Sequence, residues 1–261
     1  VEVDAYGRKK KTGLGLFGLD QKRREPIAGK NIVLTINRDL QHAAVQAMRD
    51  KGGRPKPGGV VAINPNNGEI LAMISQPGFD PTEFSRGIGA KLWQGIRMNE
   101  EKPLLDKTLQ DAYPPGSTFK LITALAGLES NAINPDDTVS CNGFYQLGRA
   151  SYRCWTWRKG GHGTVHLKRA IQESCDYYFY RLGVKVGVNQ LSKYAKIFGL
   201  GSKTGLNLRG EVKGTVPSTA WKEKVFGERW YPGETPPVAI GQGALTVTVL
   251  QLARLYATLA N

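Results

Sequence analysis

The chain has 261 residues, with 36 lysines and arginines against 22 acidic residues and a formal charge of +14. Its 40% hydrophobic content supports a packed core, which excludes a wholly disordered polypeptide. The longest apolar run, residues 121–128, falls far short of the ~20 residues that span a bilayer. The opening Val1-Glu2-Val3-Asp4 lacks the basic and apolar regions of a signal peptide, so any targeting or anchoring segment is expected to lie outside this chain. Strong basicity suits nucleic acid, anionic lipid or an acidic polymer. Here the only dense run is Arg8-Lys9-Lys10-Lys11, echoed by Lys22-Arg23-Arg24, and no helix-turn-helix pattern, RNP signature or Cys/His finger spacing accompanies it. No nucleic-acid partner is expected.

Residues 1–30 read as an irregular, basic, Gly-rich entry. The alternation in residues 30–36 predicts a strand, and Leu40, Ala44, Ala47 and Met48 share one face of a helix that follows Asn37-Arg38-Asp39. Val60-Val61-Ala62-Ile63 and Ile70-Leu71-Ala72-Met73-Ile74 flank an Asn-Pro-Asn-Asn-Gly-Glu turn, which predicts a β-hairpin. Residues 80–112 are mixed and polar, without a predicted element. Helical periodicity then recurs at Leu121, Ile122, Leu125 and Leu128, at Leu167, Ala170 and Ile171, and through residues 246–259. Strands at one end and helices through the middle imply an α+β or α/β domain rather than a sandwich of sheets.

The stretch Tyr113-Pro114-Pro115-Gly116-Ser117-Thr118-Phe119-Lys120 carries the chemistry. Two prolines hold the chain extended and Gly116 lets it turn, so Ser117 falls at a helix start, where unpaired N–H groups favour developing negative charge. Lys120 lies one turn on along the same face, within expected reach of the Ser117 hydroxyl. A serine is a poor nucleophile until a base takes its proton, and a lysine is a base only where its surroundings lower its pKa. Four residues of this kind are common by themselves and more often mark a capped helix.

A second element, Glu173-Ser174-Cys175-Asp176, changes that balance, because a second serine after a helix completes Ser-x-x-Lys sites. With the turn at 64–69, the 113–120 segment, Gly161-His162-Gly163, residues 173–180, Phe198-Gly199 and Ile240-Gly241-Gln242-Gly243, the chain resembles the class B penicillin-binding proteins, and within them the elongation type. The resemblance implies the α+β (α/β sandwich) transpeptidase domain shared with serine β-lactamases, over residues 31–261, with residues 1–30 as the end of a pedestal or linker. It implies Ser117 as acyl-accepting nucleophile, Lys120 as its base, Ser174 as proton relay, and Asp176, where many relatives carry Asn, as the residue that orients Lys120 and substrate.

The reaction so implied is D,D-transpeptidation of peptidoglycan stem peptides, with β-lactam antibiotics as inhibitors. The implied place is the periplasmic face of the inner membrane. A shape-type glycosyltransferase and the elongation machinery are the implied partners. A class D-like β-lactamase and a β-lactam-binding sensor share the fold and are the alternatives. The family's Lys-Thr-Gly strand is expected after Gly243, so the domain is expected to be incomplete at its C-terminus. The triplet Lys203-Thr204-Gly205 is not assigned that role, since it sits in a Gly-rich turn and precedes residues 240–243.

Cys141, Cys154 and Cys175 lie within 35 residues, with His162 between the last two. As a Cys₃His set they suit a structural zinc ion, although intervals of twelve, seven and twelve residues are looser than a finger's. The family's extracytoplasmic location admits instead a Cys141–Cys154 disulfide with Cys175 left over, or three free thiols. His166 is the spare ligand and His42 an ordinary helix residue. Trp155 and Trp157 are expected to pack against this loop or to touch the substrate.

Overall fold

The computed structural model describes residues 29–261. The unit that carries the candidate site is Thr35–Asn261, and residues 29–34 belong to a separate one. The expected pedestal segment lies largely outside the described residues. Residues 30–36 do not form the predicted strand: Ile32, Val33 and Leu34 are 83%, 95% and 70% exposed. Alternation makes a strand only where a neighbour supplies a ladder. At the end of this stretch the Thr35 hydroxyl donates to the Ile70 carbonyl at 2.7 Å, and the following Asn37 N–H donates to the Leu71 carbonyl at 2.8 Å.

Helix α1 (Arg38–Ala47) begins where the Asn37 side chain accepts from the Leu40 N–H at 2.9 Å. Strands β1 (Gly58–Ile63) and β2 (Ile70–Gln76) form the predicted antiparallel hairpin, with a bulge between Ala62 and Ile63. Two short helices, α2 (Pro81–Arg86) and α3 (Ala90–Arg97), occupy the stretch that had no predicted element; α2 starts at an Asp80 cap followed by proline.

Helix α4 (Lys120–Glu129) runs through the core. Its Ala124 joins one apolar cluster, with Leu167, Ala170, Tyr178, Phe179 and Leu182. Its Ile122 joins another, with Phe119, Leu200, Leu245 and Leu255. A helix buried on opposite sides is a rigid platform, and each fully buried aliphatic side chain on it contributes roughly 1.5–3 kcal/mol. Strands β3 (Val139–Cys141), β4 (Phe144–Leu147), β5 (Ala150–Arg153) and β6 (Gly163–Val165) make two small antiparallel pairs, β3 with β6 and β4 with β5. Helices α5 (Leu167–Gln172), α6 (Asp176–Val186) and α7 (Val188–Ile197) follow, then α8 (Thr219–Phe226), α9 (Thr235–Ala239) and α10 (Val249–Ala260). Among the described residues no helix is long and apolar enough to cross a membrane.

Candidate active site and metal centre

Ser117 lies in a single 3₁₀ turn, Gly116–Phe119, that runs directly into α4. The turn is pinned from behind. Tyr113 and Val247 exchange backbone hydrogen bonds at 2.8 and 2.9 Å, and the Gly116 N–H donates to the Gly241 carbonyl at 2.8 Å. Gly241 has φ +77°, and a Cβ there would meet the Gly116 carbonyl oxygen at 2.0 Å. Gly241→Ala is therefore expected to shift the Ser117 turn and to destabilise the fold by about 2–4 kcal/mol. Thermal denaturation should show the melting temperature lowered by at least ~5 °C, and a near-native value would count against this packing.

The second element folds as a tight crossing between α5 and α6. Ser174 adopts φ +51°, unusual for a residue with a Cβ, and Asp176 opens α6, where a carboxylate is favoured by the helix dipole. Lys120, 3% exposed, directs its ammonium into this turn. Its Nζ donates to the Ser174 carbonyl and to Ser174 Oγ, both at 2.9 Å, and to Asp176 Oδ1 at 2.7 Å. All three ammonium protons are thereby used. Ser174 Oγ in turn donates to Ser117 Oγ at 3.0 Å. The four sequence-selected residues thus form one hydrogen-bonded chain. Lys120 is joined to Ser117 through Ser174, whereas the sequence suggested direct contact, because the ammonium protons go to the Ser174 carbonyl, the Ser174 hydroxyl and Asp176 Oδ1.

Trp155 has a positional role that the sequence did not reveal. Its backbone N–H donates to Asp176 Oδ2 at 3.2 Å, the carboxylate oxygen that Lys120 leaves free. Its indole N–H donates to the Glu173 carbonyl at 3.1 Å, and its ring meets the His162 ring edge-on at 5.4 Å. The side chain bridges the Glu173–Asp176 turn and the cysteine loop; its packing on the loop agrees with the expectation for Trp155, and the bond to the turn is new.

Cys141, Cys154, Cys175 and His162 converge so that their ligand atoms all lie within 4.8 Å of one another. The three cysteines are buried and unbridged. His162 Nδ1 is 3.7 Å from Cys141 Sγ and 3.4 Å from Cys154 Sγ. Gly161, at φ +88°, makes this approach possible, since a Cβ there would overlap the Cys141 carbonyl oxygen at 2.1 Å. A hydrogen bond from the Cys175 thiol holds Cys154 well below the usual thiol range and raises Cys175. His162 Nε2 is buried without a partner. His166 stands at the start of α5 outside the cluster, and His42 pairs with Gln46 on α1.

Ser117, Ser174 and Asp176 line a hollow of about 490 Å³ together with Arg153, Trp155 and Trp157. A larger hollow, about 650 Å³, lies away from this chemistry against α10 and includes Thr204 and Gly205. The Thr204 N–H and hydroxyl both donate to Glu211 at 2.6 Å, so the Lys203-Thr204-Gly205 triplet is part of a locked loop.

The family described as penicillin binding protein transpeptidase domain matches residues 58–261. The chain is 39% identical over 239 residues to a peptidoglycan D,D-transpeptidase MrdA of Acinetobacter baumannii, a match that covers 92% of this chain and 35% of that protein. Penicillin-binding protein 2 of Pseudomonas aeruginosa, solved in complex with WCK 5153, superimposes with a TM-score of 0.83 at 43% identity, over 92% of this chain and 51% of that one. The Helicobacter pylori protein of the same name, solved in complex with MreC, gives a TM-score of 0.72 at 36% identity, over 75% of this chain and 37% of that one. The chain thus spans between 35% and 51% of the length of these relatives.

Proposed function

The chain belongs to the penicillin-binding protein transpeptidase family, and on that premise we propose that it performs peptidoglycan D,D-transpeptidation through an acyl-enzyme on Ser117. The observation that carries this reading is the Lys120–Ser174–Ser117 hydrogen-bonded chain with Asp176 behind it. When Lys120 is neutral, the chain reverses direction: Ser117 donates to Ser174, and Ser174 donates to Lys120. Ser117 Oγ then attacks the carbonyl of a D-Ala-D-Ala unit as its proton moves to Ser174 and the Ser174 proton moves to Lys120. The C–N bond breaks, and the departing D-Ala amine takes a proton back through Ser174. An acceptor amine next attacks the Ser117 ester, the C–O bond breaks, and the amine's proton returns to Ser117. General acid–base transfer of this kind contributes about 10²–10⁴-fold. Asp176 keeps Lys120 aimed at Ser174 throughout.

Mass spectrometry after exposure to benzylpenicillin tests this. The expected result is a stable one-drug adduct on Ser117. Loss of the adduct within minutes would move the assignment to a β-lactamase, and no adduct would overturn it.

The same reading includes structural zinc on Cys141, Cys154, His162 and Cys175. A tetrahedral zinc with Zn–S of ~2.3 Å and Zn–N of ~2.0–2.1 Å sets sulfur and nitrogen roughly 3.6 Å apart. The 3.4 and 3.7 Å separations here suit it, as does a donor set of three buried, unbridged thiols. With no open ligand position such an ion supplies rigidity, bracing Cys175 between Ser174 and Asp176. Trp155→Ala, which strips the packing from His162, is expected to weaken zinc retention by ~10–100-fold in competition with a chelating dye; unchanged affinity would limit Trp155 to the catalytic turn. The proposed setting is the periplasmic face of the inner membrane, in cell elongation. The Helicobacter pylori relative's complex with MreC supports partners of that class.

A further inference from the structure

A hollow of about 210 Å³ is lined by α6 and by the chain between α4 and β3, and it shares no lining residue with the hollow at Ser117. Tyr178, Arg181 and Lys185 contribute from α6 at spacings of three and four residues, which sets them in one stripe along the helix. Asp137 and Thr138 contribute from the preceding loop.

This lining is costly as it stands. Tyr178 is 2% exposed, and its hydroxyl is buried without a hydrogen-bond partner among the described residues. A buried hydroxyl left unpaired bears its full desolvation penalty. Arg181 and Lys185 place like charges four residues apart, and among the described residues neither forms an ion pair. Asp137 forms none either, and its Oδ2 accepts the Asn134 N–H at 2.9 Å. Burial and Asp137 hold the Tyr178 phenol above its usual range while Arg181 acts the other way, so at neutral pH the hydroxyl is a donor.

Two cations and a phenol donor against one carboxylate favour a ligand with negative charge and acceptor oxygens. The volume far exceeds the roughly 30 Å³ share of one water. We propose that Tyr178, Arg181 and Lys185 form a binding site for a small oxyanion, a carboxylate or phosphate group, separate from the acyl-transfer centre. The oxyanion accepts from the Tyr178 hydroxyl and from both cations, which removes the orphaned donor and the repulsion together. Since α6 opens at Asp176, the ligand grips the helix that aims Lys120.

Calorimetric titration with inorganic phosphate and, separately, with succinate tests this, at fixed ionic strength in sodium chloride. Saturable one-to-one binding of at least one anion is expected, and the tighter one assigns phosphate or carboxylate. Tyr178→Phe keeps the ring and removes the hydroxyl, so it should weaken binding by about 10-fold. Its melting temperature without anion should equal or exceed that of the unaltered protein, because an unpaired donor is gone. Arg181→Gln should weaken binding by about 10–100-fold and leave the anion-free melting temperature within ~2 °C. Absence of saturable binding to either anion overturns the site, as does a Tyr178→Phe protein that binds equally tightly. A lowered anion-free melting temperature in Tyr178→Phe would show the hydroxyl already paired and would overturn it too. Protein acylated by benzylpenicillin should bind the anion unchanged; loss of binding there would place the ion at Ser117 and overturn the separate site.

Discussion

Lys120→Met is expected to slow acylation of Ser117 by benzylpenicillin by about 10²–10⁴-fold, and Ser117→Ala to abolish the adduct. The lysine effect has two separable parts. One is chemical: without Nζ the Ser174 hydroxyl has nowhere to pass the proton that it takes from Ser117. The other is structural: Lys120 and Asp176 form an ion pair at 2.7 Å, 3% and 15% exposed, and removing one partner of such a pair costs about 3–5 kcal/mol. The double variant Lys120→Met, Asp176→Asn removes both charges, so most of that stability should return. The acylation rate should not. A double variant that regained the rate as well would show that Lys120 supports the turn without moving a proton, and the mechanism above would fail. Stopped-flow acylation with parallel thermal denaturation reads both parts.

The second large effect concerns the metal. One zinc per chain is expected to survive dialysis, and its removal by a strong chelator should lower the melting temperature by more than ~10 °C. Binding of a structural zinc corresponds to roughly 10–16 kcal/mol of apparent free energy, much of it expressed as folding free energy in small domains. Here only part is at stake, because the apolar cluster of Phe119, Ile122, Leu200, Leu245 and Leu255 contains none of the four ligands. Cys175→Ser should lose the metal and also slow acylation, since residue 175 joins Ser174 to Asp176 across a turn with a left-handed residue. Cys141→Ser, farther along the chain from that turn, should lose the metal with a smaller loss of rate. Elemental analysis and intact mass decide the matter. A two-hydrogen mass deficit with no zinc would assign a disulfide instead, and an apo-protein melting within ~2 °C of the untreated one would dismiss the structural role.

Much of the architecture is legible because its causes are local. The hairpin at 58–76 was readable from a six-residue turn rich in Asn and Gly, and α4 and α10 from apolar residues at helical spacing. The Asp80-Pro81 start of α2 was a signal of the same local kind that went unused. Residues 30–36 show the opposite situation: their alternation is genuine, yet no ladder forms on it among the described residues, because pairing depends on what lies alongside.

The candidate site divides in the same way. Ser117, Lys120, Ser174 and Asp176 were nameable from two short motifs, and Cys141, Cys154, His162 and Cys175 from residue type alone. By itself the sequence determined which groups are available, and its family resemblance implied acyl transfer for Ser117, Lys120, Ser174 and Asp176. It left zinc, disulfide and free thiols open. Only the tertiary structure decided that Lys120 reaches Ser117 through Ser174, that Trp155 holds the second oxygen of Asp176, and that Cys141, Cys154, His162 and Cys175, spread over 35 residues of chain, meet within 4.8 Å. The reason is physical. Turn and helix preferences act over a few residues, whereas hydrogen-bond direction and ligand convergence are set by how α4, α5, α6 and the β3–β6 pair stack, and that stacking is a property of the whole core.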